Sequence, residues 1–331
     1  MKKNIVLLFT VIIASLFTVQ PAFAQEQNMK DVSQKIEKLS EGLVGRIGVA
    51  AQEIGGDVVI AVNGDETFAM ASTYKVAIAT TVLDRVDKGE LSLDQLVEVP
   101  LDMFVTGVIA LAETFPHPGI QLSVANLIEV MITESDNTAT DVCMGLAGGP
   151  AAVTKNLRRL GINDFRVDRT TREILMDFYG LSGATPEIVA EGIKNNPALV
   201  MAQIDPNPDF EADPRDHATP LAMLKLLLAI DGGTAMSAES SKFLLGVMSR
   251  TRTGAGRIKG LLPKGASVAH KTGTAGGIAN DVGYVTLPDG RRFAIAVFTN
   301  SSKTSVADRD RAIAEVSRTL YDFYYLMAQD K

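Results

Sequence analysis

The 331-residue chain has no tryptophan, one cysteine and three histidines, and each scarcity excludes something. Cys143 alone cannot close an internal disulfide, so the core must hold the fold. Set in "ATDVCMGLAG", it reads as a small buried hydrophobe on a helix. His117, His217 and His270 lie far apart, with none of the H-E-x-x-H spacing of a zinc site, and no metal or other cofactor is expected. G-x-S-x-G is absent too, which disfavours a histidine-based serine hydrolase. A basic surplus is lacking: 32 Lys and Arg stand against 39 Asp and Glu, so no nucleic-acid-binding face is expected.

Long apolar runs are missing everywhere except at the N-terminus. There Lys2 and Lys3 precede a 15-residue apolar stretch, Ile5–Val19, and "PAFA" at Pro21–Ala24 offers small residues at Ala22 and Ala24. The stretch is short against the roughly 20 residues of a membrane span. The pattern is that of a secretory signal cut after Ala24, with an uncleaved anchor as the alternative. Residues 25–331 would then carry a net charge of −9 in place of −7, since the leader holds two lysines and no acid. A periplasmic or secreted protein, free of the membrane after cleavage, is expected. Nothing in the sequence demands a partner, and a monomer is expected.

What is present is strands at both ends and helices between. "RIGVAAQEI" and "DVVIAVNGD" alternate and carry β-branched residues. "SVANLIEVMITES" and "TPLAMLKLLLAIDGG" have helical spacing, the second opening on Thr-Pro and closing on Gly-Gly. "SVAHKTG", "NDVGYVTLPDG" and "RRFAIAVFTNS" return to strand, with "PDG" as a hairpin turn, and a last helix follows. The expected fold is α/β in the α+β sense. An antiparallel sheet from residues 25–70 and 231–331 carries helices, a helical subdomain spans 71–230, and the ligand cleft lies between them.

Three short motifs carry the chemistry, each with an ordinary explanation when taken alone. In Ser72-Thr73-Tyr74-Lys75, residues i and i+3 share a helix face, so the amine can reach the hydroxyl. A lysine whose pKa is lowered by burial could take the serine proton; the plainer reading is an N-cap serine and a snorkelling lysine. Ser135-Asp136-Asn137 ends one helical run and can cap the next. Lys271-Thr272-Gly273-Thr274 lies on a strand, where Gly273 permits close approach of another backbone.

The order S-x-x-K, S-D-N, K-T-G is the set found in class A β-lactamases and penicillin-binding proteins, and the chain resembles the class A serine β-lactamase family over nearly all of residues 25–331. Arg257, 14 residues before Lys271, and Asn280-Asp281 extend the likeness, and "DPRDHATP" resembles the exit of the family's omega loop. The resemblance implies a β-lactam substrate attacked by Ser72, with Lys75 as base or proton relay. Ser135 would pass a proton to the departing nitrogen, and Lys271 would stabilise developing charge and hold Ser135. Thr272 and Arg257 would face the substrate carboxylate, Asn137 the acyl-amide side chain. The backbone N–H groups of Ser72 and Thr274 would form the oxyanion hole.

The likeness breaks in the omega loop, which in the family carries R-x-E-x-x-x-N. Aligning Arg169 in "VDRTTREILMDFYG" with that arginine puts Thr171 at the glutamate and Leu175 at the asparagine that manage the deacylating water. Arg169 could still close the loop on Asp216, but 47 positions separate them, and the loop region, about 166–216, is enlarged. Either another carboxylate is the base, Glu173 being nearest and Glu211 a weaker candidate, or none is and the acyl-enzyme persists. The first gives a β-lactamase with non-standard deacylation. The second gives a D-Ala-D-Ala peptidase or penicillin-binding protein with slow or absent lactam turnover. A non-enzymatic lactam sensor would need an anchor and a signalling domain.

Overall fold

Along Arg292–Asn300, Phe293, Ile295 and Val297 alternate with Ala294, Ala296 and Phe298, and the two sets enter different cores. Period-two alternation sends them to opposite faces of a sheet, and both faces are covered. The computed structural model describes residues 27–181 and 205–327. The leader, its cleavage site and part of the enlarged loop lie outside the described residues.

Nine strands occur among the described residues: β1 (Arg46–Glu53), β2 (Val59–Val62), β3 (Phe68–Ala69), β4 (Leu96–Val99), β5 (Ile120–Ser123), β6 (His217–Ala218), β7 (Ser267–Ala275), β8 (Ile278–Thr286) and β9 (Arg292–Asn300). Five form one antiparallel sheet in the order β2-β1-β9-β8-β7. The helix Val306–Leu326 covers one face with Ile313, Val316, Leu320 and Tyr324. The other face joins the larger core, built mainly from helices in the middle of the chain. The expected hairpin at "PDG" joins β8 to β9, with the Gly290 N–H donating to Leu287 O at 3.0 Å.

Side-chain caps begin several of the helices. Ser123 Oγ accepts from Asn126 N at the start of Val124–Thr133, Asp136 from Ala139 N at Asn137–Ala147, and Thr219 from Ala222 N at Pro220–Asp231. Each satisfies an orphan N–H of the first turn. The helix Pro220–Asp231 departs from the expected division. Its "LAMLKLLLAI" is apolar on nearly every side, and it is buried against β9 and β1 instead of standing in a separate helical part. Two small sheets also form, β4 with β5 within the middle of the chain, and β6 from the middle with β3 from the segment before it. Cys143 is fully buried and unpaired, and burial pushes its thiol pKa up.

Candidate active site

Ser72 lies in a short 3₁₀ turn, Ala71–Tyr74, that feeds directly into the helix Lys75–Asp87. No side-chain cap bond is made at the start of either element. Ala71, just before it, has φ +44°, and Ser135 has φ +63°. Left-handed backbone at non-glycine residues costs about 1–3 kcal/mol each and persists only where surrounding structure imposes it. Here it sets Ser72 on the cavity wall and Ser135 between two lysines.

Neighbouring strands impose the Ser72 turn. Asn280, on β8, donates through Nδ2 to Ala69 O at 2.9 Å and Met70 O at 3.0 Å, while its Oδ1 accepts from Thr299 N. Gly273, on β7, lies so close that a Cβ there would stand 2.6 Å from Met70 O and 2.9 Å from Ser72 N. Gly273→Ala is therefore expected to push β7 off the turn. A displacement of about 1 Å near a reacting centre costs on the order of 100-fold, readable as a slower pre-steady-state burst with a chromogenic cephalosporin.

Lys75 has no exposed surface. Its ammonium donates to Ser135 O at 2.7 Å, Ser135 Oγ at 3.2 Å and Asn137 Oδ1 at 3.0 Å. Burial lowers its pKa to about 7, against smaller opposing effects of Asp136 and Asp141. Lys271, equally buried, donates to Ser135 Oγ at 2.9 Å and to Thr272 O at 2.7 Å. Its pKa is lowered by burial and then by the Lys75 charge. One hydroxyl thus joins two amines from opposite sides of the cleft. When Lys75 loses a proton, two of its three partners, both carbonyl oxygens, cannot turn round and donate to it. Ser135 Oγ can, because a hydroxyl carries a donor as well as acceptors. Of these partners, Ser135 Oγ can therefore both take up and give back a proton.

Ser72 Oγ makes no hydrogen bond to Lys75, contrary to the expectation from helix spacing, because the amine is drawn toward Ser135 and Asn137. Contacts of this kind often tighten only once substrate is bound. Asn137 is spoken for at both ends, its Nδ2 donating to Thr106 O at 2.8 Å.

Arg257 and Thr272 also differ from expectation. Arg257 is buried behind β7, with Nε on Asp310 Oδ1 at 2.7 Å, Nη1 on Gly273 O and Asn280 O, and Nη2 on Thr274 Oγ1 at 2.8 Å. It braces the strand and orients Thr274, which is exposed to the cleft. Thr272 is buried, and its hydroxyl bonds that of Thr253 at 2.6 Å.

The loop closes where Arg169 and Asp216 meet. Arg169 Nε donates to Asp216 Oδ2 at 2.6 Å, and Asp216 Oδ1 accepts from Asp168 N at 2.7 Å. Asp177 and Asp213 take the other edge of the guanidinium. Glu173 does not reach the cleft. It is exposed, and its Oε2 completes a capping box with Thr170 N at 2.8 Å and Thr170 Oγ1 at 2.9 Å. The T-x-x-E spacing is itself the signature of that cap, so Glu173 is corrected from candidate base to helix cap. Glu211 is likewise engaged away from the cleft, hydrogen-bonded to Ser301.

A cavity of about 340 Å³ opens beside Ser72 and Asn137. Gly107, Val108, Ile174, Leu175 and Phe178 supply much of its wall, and among the described residues Asp216 is the only carboxylate residue lining it. Two residues passed over in the sequence reading stand at its back. Tyr74 Oη and Thr171 Oγ1 are 2.7 Å apart, and Asp141 accepts from the backbone N–H of Thr171 at 2.7 Å and of Arg172 at 3.0 Å. Asp141 falls one helical turn after Asn137, a spacing that could have flagged it.

Comparison with known proteins agrees with this arrangement. Residues 31–324 match the model of the beta-lactamase enzyme family. The chain is 30% identical to "Beta-lactamase VEB-1" of Pseudomonas aeruginosa over 95% of its length and 96% of that protein's. It is 31% identical to "Beta-lactamase CTX-M-8" of Citrobacter amalonaticus over 97% and 98%. A crystal structure of a beta-lactamase from Chitinophaga pinensis superimposes with a TM-score of 0.72 at 32% identity, covering 88% of this chain and 98% of the other. A serine flanked by two buried lysines, on an antiparallel sheet packed with helices, thus comes with sequence and fold likeness over nearly the whole chain, which belongs to the class A serine β-lactamases.

Proposed function

We propose that the protein hydrolyses the amide of β-lactams through an acyl-enzyme on Ser72, and that it clears this ester without the omega-loop carboxylate typical of its family. The observation that carries the reading is the bridge Lys75–Ser135–Lys271 near Ser72, which itself shares a cavity with Thr171 and Leu175, the residues that alignment on Arg169 assigns to the glutamate and asparagine positions. Neutral Lys75 takes the Ser72 proton as Oγ attacks the lactam carbonyl. The tetrahedral oxyanion lies against the N–H groups of Ser72 and Thr274. As the ring C–N bond breaks, the proton moves from Lys75 through Ser135 Oγ to the departing nitrogen. Lys271, on the other side of Ser135, offsets the negative charge. Related proteins named beta-lactamases support the substrate class.

The apolar wall of Ile174, Leu175 and Phe178 supports a second reading, in which water is poorly held and the ester is long-lived, as in a D-Ala-D-Ala peptidase or penicillin-binding protein. Intact-mass measurement through time after mixing with a penicillin separates the two. A mass gain of one lactam that decays while substrate is consumed supports hydrolysis; a stoichiometric gain that stays supports the second reading. Export belongs to the proposal through the leader pattern of residues 1–24. No helix among the described residues is long and apolar enough to cross a membrane.

A further inference from the structure

We infer that Thr171 Oγ1 holds and activates the deacylating water and that Asp141, directly behind it, takes the proton. This deepens the hydrolytic reading and depends on it. Thr171 occupies the start of the helix Thr171–Phe178, is buried, and lines the same cavity as Ser72 and Tyr74. Its hydroxyl has one proton to donate and two lone pairs. That proton is assigned to Asp141, whose carboxylate is held against the start of this helix by the Thr171 and Arg172 N–H groups, at 2.7 and 3.0 Å. With that proton committed to Asp141, one lone pair is assigned to the O–H of Tyr74, whose Oη lies 2.7 Å away. The other is left for a water in the cavity.

Tyr74 serves as a fixed donor. Burial and then the Asp141 charge keep its phenol protonated by raising its pKa well above the ordinary value. Asp141 is held mostly out of water, and burial raises its carboxyl pKa despite the bonds from Thr171 and Arg172 and the charge of Lys75. A carboxylate with raised pKa is a stronger base than one in water. The ionisable groups facing the relay are Lys75 and Tyr74, with Arg169 and Asp216 acting on Tyr74 from the loop closure.

The step balances as follows. Water oxygen attacks the ester carbonyl while one water proton moves to Thr171 Oγ1 and the Thr171 proton moves to Asp141. The tetrahedral intermediate then expels Ser72 Oγ, which receives that proton back through the same two groups. The product acid gives its remaining proton to solvent. Thr171 is the catalytic residue in this step, since it touches the attacking water. Asp141 acts through it as a positioning residue and proton store.

The test uses the full mature protein and a penicillin, with adduct formation and adduct loss followed separately by mass. In Thr171→Val, which keeps the shape and removes the hydroxyl, adduct loss is expected to slow about 100-fold, within the range of general base catalysis. Thr171→Ser, which restores the hydroxyl, is expected to restore most of the rate. Asp141→Asn is expected to slow adduct loss comparably and to abolish the acid-side fall in its pH profile, which a purely structural anchor would not move. Should the native protein clear its adduct and both Thr171→Val and Asp141→Asn clear it equally fast, the relay is wrong while hydrolysis stands. Should the native adduct form and never clear, the relay and the hydrolytic reading both fail. Should no adduct form at all, the reading of Ser72 falls with them.

Discussion

Ser72→Ala protein mixed with a penicillin gains no mass, and its steady-state turnover of a chromogenic cephalosporin falls by roughly 10⁵–10⁶-fold, the scale on which loss of a serine nucleophile acts. The expectation follows from how the other hydroxyl groups around the cavity are committed. Tyr74 and Thr171 bond one another, and Thr274 accepts from Arg257. Ser72 Oγ has no such bond among the described residues. It stands on a turn shaped by the left-handed Ala71 and held by Asn280 and Gly273. Substitution by alanine removes one oxygen and leaves that scaffold intact, so unchanged thermal unfolding is the control that separates lost chemistry from lost structure. A mass gain of one lactam in the alanine protein would place the nucleophile elsewhere.

Lys75→Met is expected to lower the acylation rate by about 10³-fold, within the range for a positioned general base, and to remove its pH dependence near neutrality. The sign follows from the lowered pKa of about 7. Below that value the amine is protonated and cannot accept the Ser72 proton. Above it the neutral form accumulates, so native acylation rises through about pH 7 and levels off. The methionine variant lacks this inflection, and burst kinetics at several pH values decide the matter. The same substitution should raise stability while it lowers the rate. Unfolded lysine binds its proton up to an ordinary pKa near 10.4, whereas the buried amine releases it near 7. The unfolded state therefore holds more protons between those values, and native stability increases with pH across that window. Methionine fills the fully buried site without a charge to desolvate, so the variant should need more denaturant to unfold than the native protein at pH 7. Active sites commonly trade stability for function in this manner.

Much of the architecture is legible because hydrophobic period maps directly onto faces. "RRFAIAVFTNS" alternates and becomes a strand buried on both sides; "TPLAMLKLLLAIDGG" names its own cap and becomes a helix. The motif residues Ser72, Lys75, Ser135 and Lys271 are equally readable, since each stands in a short run with its own spacing. What spacing does not convey is direction in space. Lys75 is one turn behind Ser72 in sequence, yet its amine points to Ser135 and Asn137, 60 and 62 positions away. Glu173 looked like the nearest spare carboxylate, and local capping turned it outward.

The order of motifs, the apolar periodicity and the run from Arg169 to Leu175 are set by the chain alone, because they are properties of residue identity and spacing. Which hydroxyl bridges which amines, the burial that lowers the lysine pKa, and the meeting of Tyr74, Thr171 and Asp141 were decided only by tertiary structure. Each depends on segments far apart in sequence being pressed together with water excluded, and desolvation is a property of the assembled cleft that no residue carries in isolation.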